Sequence, residues 1–235
     1  MEAKAPRECG IAAPSTLIFD MDGVLVDSEP LHKRAKIETF RRFGIVLPDS
    51  VYDNYKGQPD KTMMVEIVRD RPGLATADEL LRVKREIFEA NEHEMQAVPG
   101  ALDFLDWAAA RYQVGLGTSS TPRNRAAILE ILGVSDVFKV IVDSSHFQRP
   151  KPDPEVFLIA MRELGVEPAN CWIIEDSVNG VQAGKAAGCI VVAITTTFDS
   201  AKLREAGADI IVDSFAELRA RIEALEAPQS SAVNC

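Results

Sequence analysis

The stretch IFDMDGVLVDS, residues 18–28, ends a short apolar run on two aspartates, Asp20 and Asp22, with Gly23 directly after them. Two unit charges about 4 Å apart repel by about 1 kcal/mol in water and by about 4 kcal/mol at an effective dielectric of 20. A hard divalent cation held by oxygen ligands would offset that repulsion. Two solvated turn residues ahead of a glycine are the plainer alternative, and the pair alone does not decide between them. Three further stretches shift the balance. YQVGLG runs into the hydroxyls Thr118, Ser119 and Ser120, directly ahead of a helix start at Pro122. Hydroxyls beside helix N-terminal amides can cradle an anion, although a plain helix cap uses the same residues. Lys151 stands between Pro150 and Pro152, stiffened on both sides as a counter-charge should be. CWIIEDSVNG ends a fourth apolar run on a second acidic pair, Glu175 and Asp176. Two acidic pairs, a hydroxyl cluster and one lysine are the parts for metal-assisted handling of a phosphate.

These residues need a scaffold that gathers strand ends. From about residue 100, short β-rich runs alternate with helical stretches: YQVGLG, VIV, CWII, IVVAI and ADIIV, with TLIF far upstream. Pro122 and Pro154 mark helix starts, and Gly133, Gly165 and Gly188 mark helix ends. The pattern predicts an α/β fold, a doubly wound parallel-sheet (Rossmann-like) core whose ligands collect at the carboxyl ends of the strands. Residues 30–98 differ. SEPLHKRAKIETFRRFG offers Ser28 as N-cap and Gly44 as stop, and TADELLRVKREIFEANEHEM opens on a Thr76–Glu79 capping-box pattern. No strand is expected there. The reading is a small all-helical cap inserted after the first strand, with residues 1–29 and 99–235 forming the core and Pro99–Gly100 a hinge-like turn.

Composition narrows the partners. The chain has 235 residues and a net charge of −10, which speaks against nucleic acid or an anionic membrane, since both call for a basic surface. No apolar run approaches a membrane span, and MEAKAPRECG does not have the build of a signal peptide. Cys9, Cys171, Cys189 and Cys235 have no metal-binding spacing, and Cys171 and Cys189 sit in strand-like settings as buried hydrophobes. A cytoplasmic protein, monomeric or weakly dimeric, is expected.

DMDGVLVDS, Thr118, Lys151 within RPKPDPEVF, and EDSVNGVQAGKAAG at 175–188 together resemble the haloacid dehalogenase superfamily, in its phosphatase and phosphomutase branch. Within that branch the chain is similar to β-phosphoglucomutase-like and sugar-phosphate phosphatase proteins. The resemblance implies that Asp20 is the nucleophile forming an aspartyl-phosphate and that Asp22 is the acid and base. It implies that Thr118 and Lys151 hold the phosphoryl group, with Ser119 beside them. It further implies that Mg²⁺ is bound by Asp20, the backbone carbonyl of Asp22 and Asp176, with Glu175 as ligand or neighbour. On this reading Asp22 turns away from the metal centre with its side chain free, and Gly23 lets the backbone come close to the phosphate.

Other readings fit less well. A phosphorylated receiver domain is much shorter and orders its acidic residues differently. A dehalogenase of this superfamily needs neither Asp22 nor a metal, and a metal-binding protein without catalysis would show no turnover of an aryl phosphate. Phosphosugar mutase activity is the main alternative to hydrolysis. His32 and the Lys56–Gly57 pair match mutase cap positions, but Asp60, beside Lys61, stands where mutases carry a phosphate-binding arginine. A carboxylate there should repel a second phosphate, so the expectation is a phosphatase acting on a small phosphorylated sugar or related metabolite.

Overall fold

The computed structural model describes residues 11–56, 59–71 and 73–227. Cys9, Cys235 and Gly57 lie outside them. Six parallel strands form the main sheet: β1 (Thr16–Phe19), β4 (Gln113–Gly117), β5 (Val140–Val142), β6 (Cys171–Glu175), β7 (Ile190–Ile194) and β8 (Ile210–Val212), in the order β5-β4-β1-β6-β7-β8. All six apolar runs read from the sequence are strands. The order steps outward from β1 in both directions, so β1, β4 and β6 meet at the switch point where a ligand crevice forms.

The near-continuous apolar strands follow from burial on both faces. Leu17 and Phe19 of β1, with Trp172 and Ile174 of β6, pack into one cluster. Ile18, Cys171 and Ile173 point into the other. The first cluster is covered by α5 (Ala101–Ala109), α6 (Pro122–Leu132) and α10 (Phe215–Glu226), and the second by α7 (Glu155–Leu164), α8 (Val178–Ala186) and α9 (Ser200–Glu205). Complete burial of each such side chain contributes roughly 1.5–3 kcal/mol. Cys171 and Cys189 are free thiols buried in the second cluster, as their settings suggested.

Between β2 (Val26–Asp27) and β3 (Gln96–Ala97) lie α1 (Glu29–Arg42), α2 (Asp49–Asn54), α3 (Asp60–Arg69), α4 (Ala77–Ala90) and a short 3-10 turn, Glu92–Glu94. The capping box forms: Thr76 Oγ1 accepts from the Glu79 amide, and Glu79 Oε2 accepts from the Thr76 amide. These helices share a core of their own around Phe40, Tyr52, Met63, Met64 and Leu80. Two expectations need correcting. A strand does enter this region, because Gln96–Ala97 pairs antiparallel with Val26–Asp27 and ties the outgoing and returning chains together. Ser28 occupies the N-cap position of α1 but makes no cap hydrogen bond, because its hydroxyl is used elsewhere.

Candidate active site

Strand register levels the chemistry. Phe19 lies opposite both Leu116 and Ile174. The next residue on β1, Asp20, therefore comes level with Gly117 and Glu175, one step before Thr118 and Asp176. Lys151 reaches in from the loop ahead of α7 and closes the group. Its Nζ donates to Asp20 Oδ1 at 2.7 Å, to Glu175 Oε1 at 2.7 Å and to the Gly117 carbonyl at 3.1 Å, over the ring of Phe157. Burial alone would drive this ammonium to lose its proton; Asp20 and Glu175 more than offset that and raise its pKa above the ordinary lysine value. Asp20 moves the opposite way. Burial first, then the neighbouring Glu175 and Asp22 charges, outweigh Lys151 and push its carboxyl up to about 7. Asp176 is raised well above its ordinary value by burial, Glu175 and Asp20.

Carboxylate oxygens of Asp20, Glu175 and Asp176 lie within 4.8 Å of one another, all three residues buried. Three acids against one lysine leave the floor short of positive charge, and a hard divalent cation fits such an all-oxygen donor set. The oxygens are not equally available. Glu175 Oε2 already accepts from the amides of Asp176 and Ser177 and from the Ser177 hydroxyl, each at 2.9 Å, while Oε1 takes Lys151. Glu175 thus braces the lysine and the start of α8, and Asp20 with Asp176 keeps oxygens for a cation. Two glycines make room. A Cβ on Gly23, whose φ is +77°, would sit 1.8 Å from Asp176 Oδ2, and one on Gly180 would sit 1.7 Å from Glu175 Oε1. Gly180→Ala is expected to destabilise the protein by about 1–3 kcal/mol through overpacking and to lower kcat by displacing the brace of Lys151. An unchanged melting temperature and rate would contradict this.

Asp22 differs from the sequence expectation. Its side chain is not free: Ser28 Oγ donates to Oδ1 at 2.6 Å and Ser120 Oγ donates to Oδ2 at 2.8 Å. This is where the Ser28 hydroxyl goes instead of capping α1. Asp22 is clamped between the N-cap residue of α1 and the loop after β4, and its carboxylate lies outside the cation cluster. Thr118 is fully buried and its Oγ1 accepts from the Ser120 amide, whereas Ser119 is exposed in the cleft lining.

Above this floor is a cleft of about 540 Å³. His32 lines it and Lys56 does not. Asp60 is not the isolated, repelling carboxylate its position suggested. Lys36 Nζ lies 3.2 Å from Oδ1 and Lys84 Nζ 2.7 Å from Oδ2, and these lysines, despite its burial, hold the Asp60 carboxyl at about 2. Lys84 also contacts His32 Nδ1 at 2.7 Å, and the imidazole stacks on Phe88 at 4.4 Å. An ammonium can only donate, so Nδ1 accepts and Nε2 carries the proton. Burial, then Lys84, pulls the His32 pKa down to about 4. Sequence reasoning missed Lys36 and Lys84.

The family profile described as haloacid dehalogenase-like hydrolase matches residues 14–188, from the approach to β1 to the end of α8. This chain belongs to that family. As a haloacid dehalogenase-like hydrolase it has curated relatives that cover most of its length. It is 32% identical over 204 residues to the validoxylamine A 7′-phosphate phosphatase of Streptomyces hygroscopicus subsp. limoneus, spanning 86% of this chain and 94% of that protein. It is 32% identical over 203 residues to hexitol phosphatase A of Escherichia coli, spanning 86% and 91%. Among solved structures, CbbY from Rhodobacter sphaeroides in complex with phosphate superposes with a TM-score of 0.73 at 30% identity, covering 87% of this hydrolase and 96% of that chain. Among the described residues, no helix of the hydrolase is long and apolar enough to cross a membrane.

Proposed function

We propose that this hydrolase is a Mg²⁺-dependent phosphatase that cleaves a small phosphorylated sugar or related metabolite through an aspartyl-phosphate on Asp20, with neither nucleic acid nor membrane as partner. The observation that carries the reading is the division of labour between two neighbouring aspartates. Asp20 is bound through Oδ1 to Lys151, and its Oδ2 has no hydrogen-bond partner among the described residues. Asp22 is held by two hydroxyls, those of Ser28 and Ser120. A carboxylate with a free oxygen beside a fixed cation suits in-line attack on phosphorus, and a positioned second carboxyl suits proton transfer at the leaving oxygen. The names of the phosphatase relatives support the same chemistry.

In the first half-reaction Asp20 bonds to phosphorus as the ester P–O bond breaks, and the leaving alkoxide takes the proton of Asp22. In the second, Asp22 takes a proton from water as the water oxygen bonds to phosphorus, releasing phosphate and restoring the Asp20 carboxylate. Lys151 offsets charge on Asp20 and on the transferring group throughout. Asp20 and Asp176 would hold Mg²⁺, which when bound supplies Lewis-acid neutralisation of phosphoryl charge. Hydrolysis, as opposed to phosphoryl relay between sugar hydroxyls, is tested by incubating the enzyme and Mg²⁺ with β-glucose 1-phosphate and β-glucose 1,6-bisphosphate. Free phosphate without glucose 6-phosphate is expected, and isomerised product in its place would make the enzyme a mutase. Asp22→Asn is expected to slow turnover of an alkyl phosphate by about 10²- to 10³-fold. Loss should be smaller for p-nitrophenyl phosphate, whose leaving group needs no proton. Equal losses on both would take the general-acid role from Asp22.

A further inference from the structure

The roof of the cleft carries charge chemistry that the phosphoryl-transfer machinery does not use. Lys36, its side chain only 6% exposed, lines the cleft with one ion-pair partner among the described residues, Asp60 at 3.2 Å, for three donor hydrogens. Asp60 lines the cleft too and is 24% exposed, so its oxygens retain accepting capacity beyond the two lysines. The two lysines and Asp60 together carry one net positive charge, and Glu29, another cleft-lining residue, opposes it. A roof built to grip a second phosphate would hold an uncompensated cationic fork. This one alternates donor and acceptor.

A hydroxyl group both accepts and donates, so it is satisfied by a cation and a carboxylate side by side. A phosphate can only accept at neutral pH and is repelled by the carboxylate. From this arrangement we infer that Lys36 and Asp60 act as a specificity pair that reads neighbouring hydroxyls on the non-phosphorylated end of the substrate, Lys36 donating and Asp60 accepting. The compensated roof thereby selects a polyhydroxylated monophosphate over a bisphosphate. Lys84 and His32 are positioning residues here: Lys84 fixes Asp60 from behind, and His32 fixes Lys84. The inference rests on the phosphatase reading and narrows it to one substrate class.

The test compares three probes on the wild-type enzyme with Mg²⁺: glucitol 6-phosphate, n-hexyl phosphate, which has the chain without the hydroxyls, and fructose 1,6-bisphosphate. Buried polar groups left unpaired by a missing hydroxyl are strongly discriminating. The expected order of kcat/KM places glucitol 6-phosphate at least about 10-fold above each of the others. Lys36→Met and Asp60→Asn should each compress the glucitol-to-hexyl ratio to within about 3-fold, through KM more than kcat, and Asp60→Asn should raise the bisphosphate-to-monophosphate ratio. Should either variant fail to fold, the wild-type series stands alone as the test. Equal efficiency on glucitol and hexyl phosphates, or preference for the bisphosphate, overturns the specificity pair while leaving the phosphatase reading intact. Hydrolysis of none of the three overturns the phosphatase reading, and the pair with it.

Discussion

Asp20→Asn is expected to abolish turnover, by at least about 10⁴-fold in kcat, because the amide cannot form the acyl-phosphate bond. It is expected at the same time to stabilise the metal-free protein. Asp20 is a buried carboxyl whose pKa stands at about 7 because burial, Glu175 and Asp22 outweigh the pull of Lys151. A carboxyl raised in the folded state lends stability that is fully present below its unfolded pKa near 4 and lost as pH climbs through its folded value. With EDTA present, the wild-type melting temperature should therefore fall between about pH 4 and pH 7. Asp20→Asn should fall less, and added Mg²⁺ should restore the wild-type value near pH 7.5 by binding the carboxylates it neutralises. A variant no more stable than wild type in EDTA at pH 7.5 would mean that Asp20 is not in an electrostatically strained site. Residual turnover within 100-fold of wild type would remove it as nucleophile.

What the sequence displayed and what it hid divide along physical lines. Strands buried on both faces are continuous apolar runs, so all six were visible, and the residues just past their ends had to lie on one edge. Asp20, Thr118, Glu175 and Asp176 were legible for that reason, and Lys151 through the prolines on either side of it. The bonds among them were not. Ser28 has the right type and position for a helix cap, and only the folded chain shows its hydroxyl 2.6 Å from Asp22. Glu175 reads as a ligand or neighbour of the metal beside Asp176, and only the folded chain shows the three donors on its Oε2. Yet Lys36 and Lys84 left a trace. Each interrupts an apolar stripe at helical spacing, Lys36 four residues before Phe40, and Lys84 four after Leu80 and four before Phe88. A lysine on the buried stripe of a helix implies a buried counter-ion, and Asp60, which begins α3, supplies it for both.

Lys151→Met should show how much of the site depends on one ammonium. Methionine keeps an apolar stem against Phe157, so the substitution removes charge more than volume. It strands Asp20 and Glu175, each 2.7 Å from the missing Nζ and nearly inaccessible to water. Removing one partner of a buried pair costs about 3–5 kcal/mol, because the desolvation of the remaining charge is no longer repaid. Without the cation the Asp20 carboxyl, already raised by burial, would rise further, and its protonation would relieve the penalty. The deficit relative to wild type should therefore shrink as pH is lowered from 8 to 5, the signature of stranded acids as distinct from lost packing. Activity should fall by about 10³-fold even where the fold persists, since the developing charge on the phosphoryl group loses a fixed neutralising partner. Lys151→Arg separates the two effects. It restores charge and hence most of the stability, but the planar fork cannot point one donor each at Asp20, Glu175 and the Gly117 carbonyl from a single nitrogen. Its kcat should stay low. An arginine variant as active as wild type, or a methionine variant whose stability deficit is independent of pH, would show that Lys151 serves the site through packing and not through its charge.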